Sequence, residues 1–504
     1  MKRAVKLPYL LLFSVVMLSC GTNQKNKELI DPVVQTQSGY VKGVVNDSNN
    51  VVVFKGIPYA APPVGDLRWR EPQPVTPWQG VRDASKFGPS AIQVKAGSRL
   101  PWTKEFMVQN EISEDCLYLN VWTPAKTNSD KLAVFVFIHG GGLTEGSGAI
   151  DVYNGTELAE KGIIVVTINY RLGVLGFFAY PELTAESPHH VSGNYGFLDQ
   201  VAALKWIQNN IANFGGDPSR VTIAGQSAGA RSVSGLLASP LATGLFSGAI
   251  TESGTSFTTG PMGSLTLDEA EKQGLEFAKM KGAGSLADLR AMSVEELMAA
   301  DTSRPVIRFG GVIDGYYQPG ELKNIYAEGK QNDVPFISGM NAGETRYRGD
   351  KGDEFVALYQ SDSDDAVKLA GQEQSRLNTW LWMQFRAKTA KTKSYEYYFE
   401  RAIPWPEHPE FGAFHTGEIP YVFNNLKMLD RPWTDVDRKV AETMSSYWVN
   451  FVKTGDPNGE SLPEWPPYSP DVKEVMEIGE NTGMIPIAAT EARFEFLKKQ
   501  LLGN

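Results

Sequence analysis

The amino-acid sequence predicts an α/β fold: a large, mostly parallel, doubly wound central sheet with helices on both faces and helical excursions over the candidate site. Residues 132–138 and 163–168 are continuous apolar runs, as expected of strands buried on both faces. Residues 196–214 carry apolar side chains at helical spacing and lead into a Gly-Gly-Asp-Pro turn. Strand, helix and strand joined by short connections favour parallel pairing.

The other elements follow from the same periodicities and turn signals. A Pro- and Gly-rich stretch at 56–65 suits neither a helix nor a central strand, so we expect it to be irregular. The remaining predicted elements, in chain order, are a hairpin at 41–45 and 51–54, strands at 117–122, 248–252 and 334–338, a helical region at 267–300 and a C-terminal helix at 490–502.

Composition and charge narrow the functional classes. The chain has 504 residues, of which 42% are hydrophobic, enough for a large core, and we expect residues 30–504 to form a single domain. The formal net charge of -10, with no Lys/Arg run beyond the N-terminus, argues against nucleic-acid binding. We expect neither a metal nor an organic cofactor, because the sequence contains neither ligand clusters nor a nucleotide loop.

The N-terminal residues indicate a targeting segment. Residues 1–19 combine a basic start with an apolar run at 10–18 that is short for a membrane span, which is typical of a signal peptide. Cys20 follows, as in bacterial lipoprotein signals, and residues 20–29 form a polar tether. We therefore expect an exported cell-envelope protein that contacts the membrane only through lipid on Cys20, with plain export to the periplasm or medium as the alternative. The oligomeric state is left open.

The central motif is a Gly-x-Ser-x-Gly pentapeptide around Ser227, placed directly after a short β-branched run. This pattern is typical of a nucleophile elbow, where the chain turns sharply from strand into helix. Gly225 and Gly229 flank the serine because side chains there would clash with neighbouring backbone. A turn of small residues without chemistry fits the pentapeptide equally well, so the rest of the chain has to decide.

A glycine loop follows the apolar run at 132–138, where His139 precedes three glycines. Backbone N–H groups in such a loop can approach a substrate oxygen closely and stabilise an oxyanion. We expect Gly141 and Gly142 to donate there, with Ala228 as a third donor. A phosphate loop is disfavoured because no Gly-Lys-Ser/Thr follows.

A serine nucleophile needs a base and a group that orients the base. The chain order Ser, acid, His favours His408 or His415 among the five histidines, and the small-residue context favours His415. Glu344 directly follows the apolar run at 334–338, where the carboxyl end of a strand is expected. Asp314 is the rival acid, although Asp-Gly is also a turn signal.

With these motifs in place, the chain resembles the type-B carboxylesterase family, which includes cholinesterases and bacterial para-nitrobenzyl esterases. The resemblance spans about residues 30 to 500. It implies an α/β-hydrolase fold, a triad of Ser227, Glu344 and His415, and hydrolysis of small to medium acyl or aryl esters through an acyl-enzyme intermediate. The motifs are EDCLYLNV at 114–121, HGGG at 139–142, NYRLG at 169–173, GNYGFLDQ at 193–200, NFGGDP at 213–218 and GQSAG at 225–229.

The chain also departs from that family. Many relatives pair the cysteine that corresponds to Cys116 with an earlier one, which is missing here. Gln226 stands where cholinesterases have an acid, so choline-type cationic substrates lose support, and Arg231 stands where they have a small residue. Two alternatives stay open. One is a non-catalytic binding protein on the same scaffold, and the other is a peptidase or lactonase with the same catalytic residues. The predicted lining of the substrate pocket is Gln226, Trp102, Trp380 and Trp382.

Overall fold

The computed structural model describes Met1 and residues 29–48, 50–254, 264–299 and 307–503. Apart from Met1 and Leu29, the predicted signal peptide, Cys20 and the predicted tether lie outside these ranges. Within them, no helix combines the length and the apolar character that a membrane crossing requires.

The strands are numbered in chain order. They are β1 (Val33–Thr36), β2 (Gly39–Lys42), β3 (Val44–Val45), β4 (Val52–Pro58), β5 (Val81–Asp83), β6 (Ser90–Ala91), β7 (Ile112–Ser113), β8 (Tyr118–Thr123), β9 (Leu132–Ile138), β10 (Ile164–Ile168), β11 (Gly216–Gln226), β12 (Gly248–Glu252), β13 (Leu265–Thr266), β14 (Val312–Ile313), β15 (Phe336–Asn341), β16 (Ser394–Phe399), β17 (Glu474–Ile478) and β18 (Gly483–Pro486).

The helices are numbered in the same way. They are α1 (Thr156–Glu160), α2 (Gly173–Phe177), α3 (Pro181–Glu186), α4 (Tyr195–Asn210), α5 (Ala228–Ala238), α6 (Leu267–Met280), α7 (Leu286–Ala291), α8 (Val294–Met298), α9 (Leu322–Ala327), α10 (Asp353–Tyr359), α11 (Asp364–Ala387), α12 (Ile419–Val422), α13 (Asp435–Thr454) and α14 (Glu491–Leu502).

An eleven-stranded sheet forms the centre of the molecule, in the order β18-β17-β16-β15-β12-β11-β9-β10-β8-β4-β3. The strands from β17 to β10 in this order pair in parallel. The pairs beyond them on both sides are antiparallel. The prediction of a large, mostly parallel sheet is confirmed.

Strand β9 shows why the apolar runs predicted this sheet. Phe135 and Phe137 belong to one hydrophobic cluster, whereas Val134, Val136 and Ile138 belong to another. Alternate side chains of a strand point to opposite faces, so β9 is buried on both. The cluster around Phe135 contains side chains of α13, and the other contains those of α4, so helices cover both faces.

One local expectation needs correction, and another is refined. Strand β4 continues to Pro58, although residues 56–65 were expected to be irregular, because a bulge between Phe54 and Ile57 accommodates the positive φ of Gly56. The helical region at 267–300 contains three helices, since Ser285 and Ser293 each cap a new one after α6.

The carboxyl edge of the parallel strands collects the candidate residues. The glycine loop follows β9, Ser227 follows β11 and Glu344 comes three residues after β15. His415 lies in the connection between β16 and α12. Crevices outside the carboxyl ends of parallel strands are where open α/β sheets bind ligands.

Candidate active site

The turn at Ser227 has the geometry expected of a nucleophile elbow. Ser227 has φ 57° and ψ -118°, a sparsely populated conformation for a residue with a side chain. Its N–H donates to the Glu252 carbonyl at 2.8 Å, which ties the turn to β12. A Cβ on Gly229 would lie 2.0 Å from the Ile138 carbonyl oxygen, and one on Gly225 would lie 2.4 Å from the Gly229 oxygen. Only glycine fits at either position.

The glycine loop faces the same cavity as Ser227. Gly141 and Gly142 have φ values of 104° and 63°, which glycine adopts without strain. Both line the cavity next to Ser227. Ala228 occupies the first position of α5, where backbone N–H groups lack partners within the helix. The three predicted donors thus lie in the loop and at the helix terminus that flank the nucleophile.

Glu344 and His415 form a hydrogen-bonded pair. His415 Nδ1 contacts Glu344 Oε2, while the backbone N–H of Asn341 donates to Glu344 Oε1 at 2.6 Å. The Glu344 side chain is 4% exposed and that of His415 is 33% exposed. Burial lowers the pKa of His415, but the hydrogen bond to Glu344 and the charge of that carboxylate outweigh burial and raise the pKa above its ordinary value.

The other ring nitrogen of His415 faces Gln226. Because Nδ1 faces a carboxylate, the neutral ring carries its proton there and Nε2 is an acceptor. Gln226 Nε2 lies 3.3 Å from His415 Nε2 and donates to it. Among the described residues, no hydrogen bond joins Ser227 Oγ to His415, whose ring nitrogens contact Glu344 and Gln226. Hydrogen bonds of this kind often tighten only when substrate is bound.

A second buried acid, Glu418, lies behind this pair. Asn341 Nδ2 donates to Glu418 Oε2, so one residue contacts both Glu344 and Glu418. Burial and the nearby charge of Glu344 raise the pKa of Glu418 to about 7. Sequence reasoning missed this residue, although an acid three positions after His415 in an apolar stretch was a usable signal.

The cavity above Ser227 has a volume of about 260 Å³. Trp102 and Gln226 line it, as predicted, and Trp102 Nε1 lies 3.2 Å from the His415 carbonyl oxygen. Its apolar wall consists of Trp102, Phe106, Met107, Val108, Ile150 and Tyr153.

The prediction that Trp380 and Trp382 line this pocket is wrong. Both lie on α11 and are almost fully buried. Trp380 packs edge-on against Phe494 and donates to the Val472 carbonyl at 3.0 Å. Trp382 packs against Tyr326. They are core residues because α11 covers the sheet and presents its aromatic side chains to neighbouring elements.

The rival residues lie away from Ser227. Asp314 accepts hydrogen bonds from Asn194 Nδ2 and from the backbone of Tyr316, and it lines a separate cavity. His408 contacts Glu410 near the surface. His139 is buried under Tyr170, and burial lowers its pKa to about 4, so it is neutral. The structure therefore brings together Glu344 and His415, as the sequence favoured.

Cys116 is a buried free thiol. Its predicted lack of a disulfide partner agrees with this state, and burial raises its pKa well above the ordinary range. An inert buried thiol of this kind contributes to packing.

Comparisons with known proteins agree with this geometry. The model of the carboxylesterase family matches residues 30–375 and 358–497. The fumonisin B1 esterase of Sphingopyxis macrogoltabida is 39% identical over 494 residues, which cover 90% of this chain and 87% of that protein. The para-nitrobenzyl esterase of Bacillus subtilis (strain 168) is 35% identical over 487 residues, covering 88% of this chain and 94% of that one.

A solved structure extends the similarity to the fold. The Geobacillus stearothermophilus carboxylesterase Est55 superimposes with a TM-score of 0.77 at 30% identity, covering 92% of this chain and 99% of that one. The α/β-hydrolase fold implied by the sequence resemblance is confirmed.

Proposed function

This chain belongs to the carboxylesterase family and is a carboxylic ester hydrolase, and from that premise we propose that it acts through an acyl-enzyme intermediate formed on Ser227. The observation that carries the proposal is the convergence of Ser227, the glycine loop and the Glu344–His415 pair at one cavity. A non-catalytic binding role would not require this convergence.

Acylation requires Ser227, the Glu344–His415 pair and the backbone donors of the glycine loop and α5. His415 Nε2 takes the hydroxyl proton as Ser227 Oγ attacks the ester carbonyl carbon, and the carbonyl oxygen becomes an oxyanion. The N–H groups of Gly141, Gly142 and Ala228 stabilise that oxyanion, while Glu344 stabilises the imidazolium. The tetrahedral intermediate then collapses, its bond to the alcohol oxygen breaks, and His415 gives its proton to the leaving alcohol.

Deacylation repeats these steps with water. His415 takes a proton from water as the oxygen attacks the acyl carbon, and a second tetrahedral intermediate forms. Its collapse breaks the bond to Ser227 Oγ, which recovers its proton from His415, and the carboxylic acid leaves. Gln226 has to release His415 Nε2 for both steps, because that nitrogen is the base.

The test is hydrolysis of p-nitrophenyl butyrate by matched histidine and serine variants. Ser227→Ala and His415→Gln are expected to lower kcat by at least about 10⁴-fold, because each removes a group that acts only in concert with the others. His408→Gln is the control and should retain wild-type activity, since that residue lies outside the cavity. Turnover by Ser227→Ala at the wild-type rate would disprove the proposal.

The cavity supports a substrate range of small to medium acyl or aryl esters. A volume of about 260 Å³ and a wall that includes Trp102, Phe106 and Tyr153 suit an apolar group of limited size. A panel of p-nitrophenyl esters of increasing chain length should show kcat/KM falling beyond medium chains. A preference for long chains over butyrate would contradict this range.

We also propose that the protein is exported and anchored through lipid on Cys20. The support is the sequence of residues 1–20, with its basic start, short apolar run and cysteine. Expressed in a bacterial host, the wild type should partition with membranes, whereas Cys20→Ala should move to the soluble fraction. Recovery of the wild type in the soluble fraction would contradict the anchor.

A further inference from the structure

A second cavity lies apart from Ser227, and the proposed mechanism does not use it. Its volume is about 220 Å³, and it shares no lining residue with the cavity that contains Ser227. Residues 69–73, helix α3 with the connection that follows it, and the first turn of α4 surround it. A concave site with an apolar wall and a few polar groups is the usual form of a small-molecule site.

Apolar side chains form the inner wall of this cavity, and each is at most 8% exposed. They are Trp69, Leu183, Val191, Tyr195 and Leu198. Trp69, Leu183 and Tyr195 belong to one hydrophobic cluster, so the packed core holds the wall in place. Such a wall favours a ligand with an apolar body, because binding removes that body from water.

The hydroxyl group of Tyr195 has no hydrogen-bond partner among the described residues, although the side chain is only 5% exposed. Buried tyrosine hydroxyls usually have a partner. Burial raises the pKa of Tyr195 against the opposing charge of Arg171, and the carboxylates of Glu186 and Glu71 add to the increase. The hydroxyl is therefore protonated, lies within electrostatic range of both carboxylates, and is available to a ligand in the cavity.

The carboxylate of Glu71 is a second polar group without a partner. Its Oε1 atom is buried and accepts no hydrogen bond. His189 Nε2 lies 3.7 Å from that atom, beyond hydrogen-bond distance, and among the described residues no lysine or arginine forms an ion pair with Glu71. The Glu71 side chain is 30% exposed and lines the cavity, so a ligand can reach it.

The other charged groups that line the cavity already have partners. Arg70 contacts Glu186 at 3.3 Å, and Glu186 also binds Arg290 through both of its oxygens. Asp314 accepts hydrogen bonds from the side chain of Asn194 and from two backbone N–H groups. The carboxylate that stays available is that of Glu71, and its negative charge favours a cation.

We propose that this cavity binds a small organic cation, namely a protonated amine with an apolar body. Its ammonium group donates hydrogen bonds to the carboxylate of Glu71 and to the hydroxyl oxygen of Tyr195, while the apolar body lies against Trp69 and Leu198. The proposal goes beyond the function of Ser227, because it concerns a separate cavity and because binding can be measured without turnover.

The test is calorimetric titration of the purified protein at neutral pH. The probe is benzylammonium chloride, and benzyl alcohol is its neutral counterpart of nearly the same shape. Glu71→Gln keeps the shape of the side chain but removes its charge, and Tyr195→Phe removes only the hydroxyl group. Glu354→Gln is the matched control, because Glu354 is an exposed acid on α10.

The wild type and Glu354→Gln should bind benzylammonium saturably, and at least about tenfold more tightly than benzyl alcohol. Glu71→Gln should raise the Kd for benzylammonium by about tenfold, as expected for the loss of a charge-assisted hydrogen bond at a partly exposed site. Its Kd for benzyl alcohol should stay within about twofold of wild type. Tyr195→Phe should raise the Kd for benzylammonium by about 3- to 10-fold, because a neutral hydrogen-bonding group is lost.

Thermal unfolding provides a second measurement. Benzylammonium chloride should raise the melting temperature of the wild type and of Glu354→Gln more than that of Glu71→Gln, because a ligand stabilises only the protein that binds it. Sodium chloride at the same concentration corrects for ionic strength. The melting curves without ligand show whether each variant folds. If Tyr195→Phe does not fold, Glu71→Gln decides, since its partly exposed carboxylate makes no hydrogen bond within the described structure.

Four outcomes would overturn the inference. Equal affinity of the wild type and Glu71→Gln for benzylammonium would show that the cation binds elsewhere, and an unchanged affinity in Tyr195→Phe would show that the hydroxyl does not contact it. Equal affinity of the wild type for benzylammonium and benzyl alcohol would exclude recognition of the charge. The absence of saturable binding would exclude the site altogether. None of these results bears on Ser227, whose role the ester assays test.

Discussion

Replacing Gly229 by alanine tests whether the contact between α5 and β9 determines the active site. An ideal Cβ at this position would lie 2.0 Å from the Ile138 carbonyl oxygen and 2.9 Å from that of His139. Ordinary contacts begin near 3.4 Å, so α5 has to move away from β9 by more than ~1 Å. Neither oxygen can turn aside easily, because Ile138 pairs with β10 and β11 and His139 leads into the glycine loop.

The expected effects follow from this displacement. Overpacking a well-packed core costs about 1–3 kcal/mol, and a clash of a Cβ with backbone carbonyl oxygens belongs at the upper end. The same shift moves Ser227 and Ala228 relative to Gly141, and a misplacement of about 1 Å can cost about 100-fold in rate.

Chemical denaturation and p-nitrophenyl butyrate hydrolysis measure the two effects of Gly229→Ala. Gly483→Ala is the control, since a Cβ there meets nothing within 4 Å and its φ lies outside the range from +20° to +160°. This control should match the wild type in both assays. A Gly229→Ala protein with wild-type stability and with kcat/KM within about threefold of wild type would refute the reasoning.

Two further predictions concern charge. Asp199→Asn should lower the free energy of unfolding by about 3–5 kcal/mol, because it leaves Arg171 buried without its counter-charge. Chemical denaturation measures this loss, and a loss below about 1 kcal/mol would contradict the prediction. His415 must be neutral to accept a proton and its pKa is raised, so kcat/KM should fall as the pH drops through a midpoint above ~6.5. In Glu344→Gln the pH profile of the residual activity should have its midpoint at a lower pH, and an unchanged midpoint would show that Glu344 does not raise the pKa.

The sequence predicted features that depend on local backbone demands. Close contacts with neighbouring backbone require glycine at 225 and 229, and burial on both faces requires apolar residues throughout β9. The nucleophile elbow and the buried strand can therefore be recognised from the sequence alone. Glu344 was found because it follows a buried strand. The order of residues along the chain favoured His408 or His415 as the base, and the small-residue context of His415 decided between them.

Other features depend on how distant segments pack and left no such signal. Trp380 and Trp382 are aromatic residues on one helix, and the sequence does not show which neighbours their faces meet. Glu418 is a single acid whose burial becomes visible only beside Asn341.

The wide spacing of the site along the chain has a consequence for folding. Gln226 and His415 are neighbours in space but 189 residues apart in sequence. Strands β9 and β11 position the glycine loop and the nucleophile, whereas the base lies in the connection after β16 and depends on β15 and β16 being in the sheet. Contacts over such long loops form late, because loop closure must come first. A chain interrupted before residue 415 during synthesis therefore has a serine but no base, and hydrolytic activity appears only when folding is nearly complete.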